Sequence, residues 1–318
     1  MAFDPPSTPD RFAPRFAEVA TFMRAPLAQS LDEAEIGIFG IPYDGALTNR
    51  AGARHGPREI RNQSSLMRAV NHATRVAPFE LARIRDMGDV PLSEIFDIEK
   101  THAEITAFTD QMVAAGVTPL AIGGDHSVSL PLLRAVAKDG PVAMIHVDAH
   151  TDTLDDFFGS KFNHGSPFRR AHEEGLIDPK ATIQIGIRGT QNSAEGWDYS
   201  EAAGMRVVFC EEIHAKGPEA IAEEARKLVG DRPVYLTYDI DSLDPVYAPG
   251  TGTPEIGGMT THQAQVLLRG LRGLRYVGAD LVEVSPPFDS GYVTALAGAA
   301  LAYEIMCLLA ESRAGQPV

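Results

Sequence analysis

The feature that most constrains the fold of this chain is a regular alternation of short apolar runs with stretches of helical periodicity. Eight runs have the length and composition of buried strands, and they cover residues 37–42, 83–90, 118–124, 142–150, 182–189, 206–210, 234–241 and 277–286. Helical patterns lie between them at residues 57–70, 99–116, 127–138, 165–175, 217–229, 261–272 and 293–311. Such alternation is typical of a parallel sheet covered by helices on both faces. We therefore predict an α/β fold, a three-layer α/β/α domain with an eight-stranded, mostly parallel sheet.

No internal repeat, low-complexity tract or polar linker interrupts this alternation, so we predict one domain over residues 31–318. Residues 1–30 contain five prolines and predict an irregular N-terminal arm, which either lies across its own domain or joins a subunit interface. The N-terminus lacks the basic start and apolar core of a secretory signal. We also expect no membrane-spanning helix, because no apolar run approaches the roughly 20 residues that one requires.

The chain is acidic, with a formal net charge of −15. This charge disfavours nucleic acid and anionic membranes as partners, since both require a basic surface. It would suit a cationic substrate, although many enzymes are acidic for solubility alone. The two cysteines, Cys210 and Cys307, are too few for a disulfide framework. We interpret them as small buried residues of a cytoplasmic protein.

Ionisable side chains collect where three of the predicted strands end. They are His126 after one run, Asp148, His150 and Asp152 after the next, and Asp239 and Asp241 after a third. A spacing of two residues places side chains on the same side of an extended backbone. Ligands of parallel sheets bind at the carboxyl ends of the strands. The six residues therefore predict one shared pocket.

The chemistry of this set predicts a hydrolytic site with two metal ions. Four converging carboxylates would repel one another unless cations neutralise them, and two divalent ions balance four negative charges. Mixed imidazole and carboxylate ligands suit Mn²⁺, with Co²⁺, Ni²⁺, Fe²⁺ or Zn²⁺ as alternatives. Taken singly, each Asp-x-Asp pair could be a helix cap and each histidine structural; their joint occurrence favours the metal site. His146 lies inside a strand, and we predict a core histidine there.

Three segments resemble the signature blocks of the ureohydrolase family, which includes arginase, agmatinase, guanidinobutyrase, guanidinopropionase and formiminoglutamase. They are IGGDHSVSLP (122–131), HVDAHTDT (146–153) and YLTYDIDSLDPVYAPGTGTPEIGGMT (235–260). The resemblance extends from about residue 35 to 310. It implies an arginase-type fold, two Mn²⁺ ions per subunit, and hydrolysis of a guanidinium group to urea and an amine. It also implies a homotrimer or homohexamer.

The resemblance further implies a role for each site residue. His126 and Asp152 would bind one ion, His150 and Asp241 the other, and Asp148 and Asp239 would bridge the two. Asp152 would also hydrogen-bond the attacking hydroxide and pass its proton to the leaving nitrogen. His164, in FNHGSPF, matches the proton-shuttle histidine of the family. Glu283, in DLVEVSPP, matches the carboxylate that binds the guanidinium; otherwise it would be an exposed carboxylate at a strand end.

The loop at residues 151–165 departs from the arginase pattern. Arginase holds the head group of its amino acid with a serine and an asparagine, whereas here Asn163 directly precedes His164 and the loop is one residue shorter. Ser160 and Asn163 remain candidate substrate contacts. The resemblance favours an agmatinase, which forms putrescine from agmatine. The alternative is a guanidinobutyrase or guanidinopropionase; arginase and a single-zinc deacylase are less favoured.

The charge around the far end of the substrate would separate these alternatives. Asp155 and Asp156 would favour the ammonium of agmatine, whereas Lys161 or the pair Arg169 and Arg170 would favour the carboxylate of a guanidino acid. The segment 186–200, which holds Trp197, is a second candidate for recognition of this end; it is equally well interpreted as an exposed connection.

Overall fold

The computed structural model describes residues 14–191 and 193–315 and is built on one eight-stranded sheet. The strands are β1 (Ile36–Gly40), β2 (Ile84–Asp89), β3 (Thr118–Ile122), β4 (Val142–Val147), β5 (Ile177–Ile187), β6 (Arg206–Phe209), β7 (Pro233–Asp239) and β8 (Arg275–Val282). They lie in the order β2-β1-β3-β8-β7-β4-β5-β6. All neighbouring strands pair in parallel. The predicted fold is confirmed, and the sheet is parallel throughout.

Helices cover both faces of this sheet. Within the described residues they are α1 (Gly56–Ser64), α2 (Pro78–Leu81), α3 (Ile98–Ala114), α4 (Ser129–Val136), α5 (Pro167–Glu173), α6 (Glu195–Ala203), α7 (Cys210–Lys216), α8 (Pro218–Val229), α9 (Thr261–Gly270) and α10 (Val293–Ala314). Successive strand residues face opposite sides of a sheet. Accordingly, Ile38 packs into the core beneath α8, α9 and α10, while Phe39 packs into the core beneath α3, α4 and α5.

Several element boundaries differ from the prediction. The runs predicted as strands at 142–150 and 234–241 end at Val147 and Asp239, because the chain turns where the candidate ligands begin. β5 begins at Ile177, five residues before the predicted start. The sequence patterns did not predict α2, α6 or α7, and α6 lies within the segment interpreted as a connection.

The longest helix in the described chain, α10, contradicts the expectation that no stretch has the length and apolar content of a membrane span. Its 22 residues meet both criteria, but most of the helix is buried inside the domain. It packs against α1, α9 and β8. A helix enclosed by protein is apolar around its whole circumference for the same reason that a membrane helix is. Cys307 of α10 and Cys210 of α7 are buried free thiols, as predicted.

The described part of the N-terminal arm lies across its own domain. Phe22 and Met23 are buried, and their backbone N–H groups donate to the Asp86 carboxylate and the Ser64 hydroxyl, each at 2.9 Å. These contacts agree with the first of the two placements considered for the arm. Residues 1–13 lie outside the described residues.

Candidate metal centre

Four adjacent strands at the centre of the sheet bring the predicted site residues together. In sheet order these strands are β3, β8, β7 and β4. His126 follows β3; Glu283 follows β8; Asp239 ends β7 and Asp241 lies just beyond it; Asp148, His150 and Asp152 follow β4. Parallel strands place their carboxyl ends at one edge, so residues far apart in sequence meet there.

One half of the centre is built around the imidazole of His126, which is fully buried. Its Nδ1 atom lies 3.0 Å from Asp148, 2.9 Å from Asp152 and 3.2 Å from Asp239. Three carboxylates from two strands therefore converge on a single ring nitrogen. This is the arrangement expected when the nitrogen and the carboxylates share a cation.

The other half is built around His150. Its Nδ1 atom lies 3.1 Å from Asp241 and 3.5 Å from Asp148. The backbone fixes these carboxylates in turn: the Ala149 N–H donates to Asp241 at 3.1 Å and the His150 N–H donates to Asp148 at 2.7 Å. Asp148 thus contacts both halves, as expected of a bridging ligand. The ligand roles themselves remain predictions.

The electrostatics of the cluster fit divalent cations. Burial raises the pKa of Asp239 well above its ordinary value, and the charges of Asp241 and Asp148 raise it further. Burial and the charge of Asp148 also raise the pKa of Asp241. Carboxylates under such repulsion are stabilised as anions only by nearby positive charge. All the donors are imidazole nitrogens or carboxylate oxygens, which suits a first-row divalent ion.

His146 is buried, as predicted for a core histidine, and it contacts a candidate ligand. Its Nε2 atom lies 2.7 Å from Asp148, and its Nδ1 atom lies 3.1 Å from the amide nitrogen of Gln184. Because the Gln184 amide nitrogen can only donate, Nδ1 accepts and Nε2–H donates to Asp148. His146 therefore orients a candidate ligand, and in this tautomer neither of its ring nitrogens has a lone pair free for a cation.

Glu283 has one carboxylate oxygen that no described residue hydrogen-bonds. Its Oε1 accepts the backbone N–H of His126 at 2.9 Å. Its Oε2 is buried and has no hydrogen-bond partner among the described residues. An unpartnered buried carboxylate oxygen is costly unless a ligand satisfies it. The geometry therefore suits a bound cation with N–H donors, such as a guanidinium.

His164 lies between Glu283 and a loop that precedes α1. Its Nδ1 atom is 3.5 Å from Oε1 of Glu283, and its Nε2 atom is 2.8 Å from the hydroxyl of Thr48. Burial alone would lower the pKa of His164, but the contact with Glu283 and the charges of Asp152 and Asp125 outweigh it and raise this pKa. The ring therefore stands where a proton could enter or leave the site.

Two site residues adopt a left-handed backbone conformation. Asp152 has φ 51° and Glu283 has φ 65°. Side chains other than glycine rarely adopt this region, and such strain collects at functional sites. The turn at each residue ends the extended course of the chain and aims its carboxylate at the centre.

A cavity of about 490 Å³ opens above the centre. The site residues at its floor are His150, Asp152, Asp239 and His164. Its walls and rim include Thr48, Asn49, Arg50, Asp156, Phe157, Thr190, Gln191, Ser193, Glu195, Thr253 and Glu255. The segment 186–200 thus contributes to the cavity, as one of its two interpretations predicted.

The side chains of Ser160 and Asn163 form hydrogen bonds mainly within their own loop. The Ser160 hydroxyl donates to the Phe162 carbonyl at 2.8 Å, and this residue lines a neighbouring groove instead of the cavity. The Asn163 amide donates to the Ser160 carbonyl at 3.0 Å and accepts the Gly165 N–H at 3.0 Å. Asn163 does line the cavity, but its polar atoms have partners within the loop.

Most of the charged residues that were predicted to recognise the far end of the substrate lie outside the cavity lining. Arg169 and Arg170 form ion pairs with Asp155 at 3.1 and 2.7 Å, outside the cavity lining. Lys161 and Trp197 are also absent from the lining of the cavity within the described chain. Of the five charged residues predicted in the loop and the helix that follows it, only Asp156 reaches the cavity.

The sequence patterns missed three supporting residues. Thr48 contacts His164 as described above. Asp125, in the same motif as His126, accepts the Ala46 N–H at 2.9 Å and so ties the loop carrying Thr48 to the centre. Arg188 is buried and donates to the carbonyls of Asp241 and Glu255, each at 2.7 Å. The position of Asp125 beside a candidate ligand was a signal that could have identified it.

Comparisons with known proteins agree with this geometry. Over residues 34–308 the sequence matches the Arginase family. It is 54% identical to the guanidinopropionase of Pseudomonas aeruginosa, over 95% of each chain. It is 47% identical to the guanidinobutyrase of the same organism, over 93% of this chain and 94% of that protein. The agmatinase of Gallus gallus is 44% identical, over 96% of this chain and 89% of that protein.

A solved structure extends the similarity to the whole fold. The proclavaminate amidinohydrolase of Streptomyces clavuligerus superposes with a TM-score of 0.90 at 39% sequence identity. The match covers 94% of this chain and 100% of that one.

Proposed function

The chain belongs to the arginase family, and from that premise we propose that its substrate is a guanidino carboxylic acid, with guanidinopropionate as the first candidate. The membership itself makes the protein a metal-dependent amidinohydrolase of guanidino compounds. Its products would be urea and an ω-amino acid. The sequence alone placed agmatine first, and we now reverse that order.

The observation that carries guanidinium hydrolysis is the position of Glu283 beside the metal ligands. Its Oε2 is buried without a described hydrogen-bond partner, while its Oε1 is held by the N–H of His126. The guanidinium would donate to this free oxygen and so would be held beside the residues that would bind the metal. A charge-assisted hydrogen bond of this kind, whether single or bidentate, orients the guanidinium and also contributes to its binding affinity.

The six residues of the centre would hold two ions, which lower the pKa of water and so supply a hydroxide nucleophile near neutral pH. Asp152, beside His126, would accept the remaining proton of the nucleophile and pass it to the leaving nitrogen. Glu283 would hold the guanidinium cation, and burial of both carboxylates would keep competing water away. His164 would move a second proton between the site and the solvent.

Two observations support a carboxylate at the far end of the substrate. Arg50 is the only lysine or arginine among the described lining residues, and no ion pair joins it to a described carboxylate. Its guanidinium lies only over the Phe288 ring, 5.4 Å from the centroid. A guanidinopropionase of Pseudomonas aeruginosa is 54% identical to this chain over 95% of each. A free arginine beside the cavity is a ready partner for a carboxylate.

Agmatine remains a second candidate because the rim also carries acidic residues. Asp156, Glu195 and Glu255 line the cavity and would attract an ammonium group. Glu195, however, already pairs with Arg169 at 3.0 Å, and Asp156 accepts the Gly159 N–H at 2.8 Å. Because Glu195 and Asp156 already have these partners, they would attract the ammonium of agmatine less strongly than Arg50 would attract the carboxylate of a guanidino acid.

We propose Mn²⁺ as the metal, since mixed imidazole and carboxylate ligands suit it, with Co²⁺ or Ni²⁺ as substitutes. We also propose that the chain forms a homotrimer or homohexamer, as its family resemblance implies. Metal analysis of the purified protein tests the first proposal, and light scattering coupled to size exclusion tests the second. A copurified single zinc, or a monomer, would contradict them respectively.

Urea release from a panel of guanidino compounds tests the substrate. The panel is guanidinopropionate, guanidinobutyrate, agmatine, arginine and guanidine, each assayed at several concentrations to give kcat/KM. We expect the highest value for guanidinopropionate. Agmatine as the best substrate would restore the original order, and no urea from any compound would contradict guanidinium hydrolysis itself.

A further inference from the structure

The hydroxyl of Thr48 makes the shortest polar contact to His164. Nε2 of His164 lies 2.8 Å from this hydroxyl and 3.3 Å from the backbone nitrogen of the same residue. On the other side of the ring, Nδ1 faces Glu283 at 3.5 Å. The ring is therefore held between one residue of the centre and one residue of the loop that follows β1.

These contacts assign the tautomer of the neutral ring. A backbone N–H can only donate, so Nε2 accepts and the proton of neutral His164 lies on Nδ1, toward Glu283. When the ring is protonated, Nε2–H must donate instead. Of the two contacts on Thr48, only the hydroxyl can then accept, because a hydroxyl both donates and accepts. The Thr48 hydroxyl can therefore hydrogen-bond Nε2 of His164 in both protonation states of the ring.

The same hydroxyl belongs to a residue that is more exposed than His164. The side chain of His164 is only 11% exposed, whereas Thr48 is exposed and lines both the cavity and the groove beside it. The carboxylates that act on the ring, Glu283, Asp152 and Asp125, are buried. Nε2 of His164 thus contacts a hydroxyl at the cavity wall, whereas Nδ1 faces the buried Glu283.

We propose that Thr48 is a positioning residue that relays protons between His164 and the solvent. This inference rests on the proposed hydrolysis. As the amine leaves, Nδ1 of His164 gives it a proton, while Nε2 takes one from the Thr48 hydroxyl, which takes one from water. When the next nucleophile forms, Nδ1 takes up the first proton lost by that water, and Nε2 returns one through Thr48. The second hydrogen of the water reaches the leaving nitrogen through Asp152. Over the turnover no proton is gained or lost, and the amine gains one proton from Asp152 and one from His164.

Three variants test the relay. Thr48→Val keeps the shape and the backbone N–H but removes the hydroxyl, whereas Thr48→Ser keeps the hydroxyl. Thr106→Val is the matched control, because the Thr106 hydroxyl donates to the Pro131 carbonyl at 3.1 Å, outside the cavity lining. We expect kcat of Thr48→Val to fall about tenfold to a hundredfold with little change in KM. Thr48→Ser and Thr106→Val should stay within about threefold of the parent enzyme.

Two further readouts separate a relay from a merely structural contact. Added imidazole buffer should restore part of the kcat of Thr48→Val, since a small base can replace the hydroxyl, and should leave the parent unchanged. Nitrogen NMR of histidine-labelled enzyme loaded with a diamagnetic divalent ion should show His164 as the Nδ1–H tautomer. Equal loss in Thr48→Val and Thr48→Ser without buffer rescue, or an Nε2–H tautomer in the parent, would overturn the proposal. Failure of the proposed function would instead appear as absence of urea release in the parent.

Discussion

The hydroxyl of Thr237 lies 2.9 Å from Nε2 of His126 and donates its own proton to Asp280 at 2.6 Å. Because that proton is committed to Asp280, the hydroxyl oxygen accepts from Nε2–H. The lone pair of His126 is thereby directed through Nδ1 at the carboxylates of the centre. Residues that orient a ligand in this way affect metal affinity about tenfold to a hundredfold.

Thr237→Val should therefore weaken metal binding by about tenfold to a hundredfold while preserving the strand, since valine has the same shape and suits a β-strand. Metal titration followed by calorimetry measures the change. Thr182→Val is the matched control: Thr182 is a buried strand threonine whose hydroxyl donates to the Asp178 carbonyl at 2.8 Å. Equal affinities for parent and Thr237→Val would contradict this orienting role.

Asp239→Asn should abolish most metal-dependent urea release, because it removes a carboxylate that contacts His126 at 3.2 Å and stands beside Asp241. The metal-free variant should be at least as stable as the metal-free parent, since one of several repelling charges is lost. Bound metal per chain and thermal unfolding without metal measure the two effects. Asp231→Asn, an exposed position, controls for loss of one negative charge. Undiminished turnover in Asp239→Asn would contradict its role as a ligand.

How much of the site the sequence could predict depends on where its residues lie. His126, Asp148 and Asp239 follow or end apolar runs, so the strand pattern alone indicated that they meet. Thr48 carries no charge and contacts a histidine 116 residues away, so no local pattern marks it. The pairing of Asp155 with Arg170 likewise depends on the fold of a loop, which spacing does not encode.

The fold was predictable to a similar extent. Long amphipathic or apolar helices such as α3 and α10 have many residues to establish a period, and both were predicted. α7 begins at Cys210, directly after β6 ends at Phe209, so no breaker separates the two patterns. Strand ends were predicted too long at β4 and β7, because acidic and histidine residues at spacing two continue an extended pattern that the backbone does not follow.

Arg50→Ala should separate the two substrate classes. If the guanidinium of Arg50 binds the carboxylate of a guanidino acid, its loss should raise KM for guanidinopropionate by about tenfold or more, the effect of about 1.5–3 kcal/mol for a hydrogen bond to a charged group. Guanidine has no carboxylate, so its kcat/KM should change little. Steady-state kinetics with both compounds measures the difference. Arg54 is not a suitable control position because it is paired with Asp44. The control is Arg58→Ala, because Arg58 is exposed, lies outside the cavity lining and carries the same charge. Parallel losses for both substrates in Arg50→Ala would contradict recognition of the carboxylate.

His102→Leu should make the protein less sensitive to acid. His102 is buried against Phe162, with ring centroids 6.0 Å apart, and its ring nitrogens have no hydrogen-bond partner among the described residues. Burial, and secondarily the charge of Arg134, lower its pKa from 6.5 to about 3. Since the folded pKa lies below the unfolded one, the unfolded chain takes up a proton first, and stability is lost as pH falls from 6.5 toward 3. Between pH 6.5 and pH 5 the parent should lose about 2 kcal/mol more of its free energy of unfolding than His102→Leu. Urea unfolding of both metal-free proteins at several pH values measures this difference. His262→Leu, at an exposed position, is the control. If the free energies of unfolding of the parent and of His102→Leu fall equally as the pH is lowered, His102 is not the group responsible.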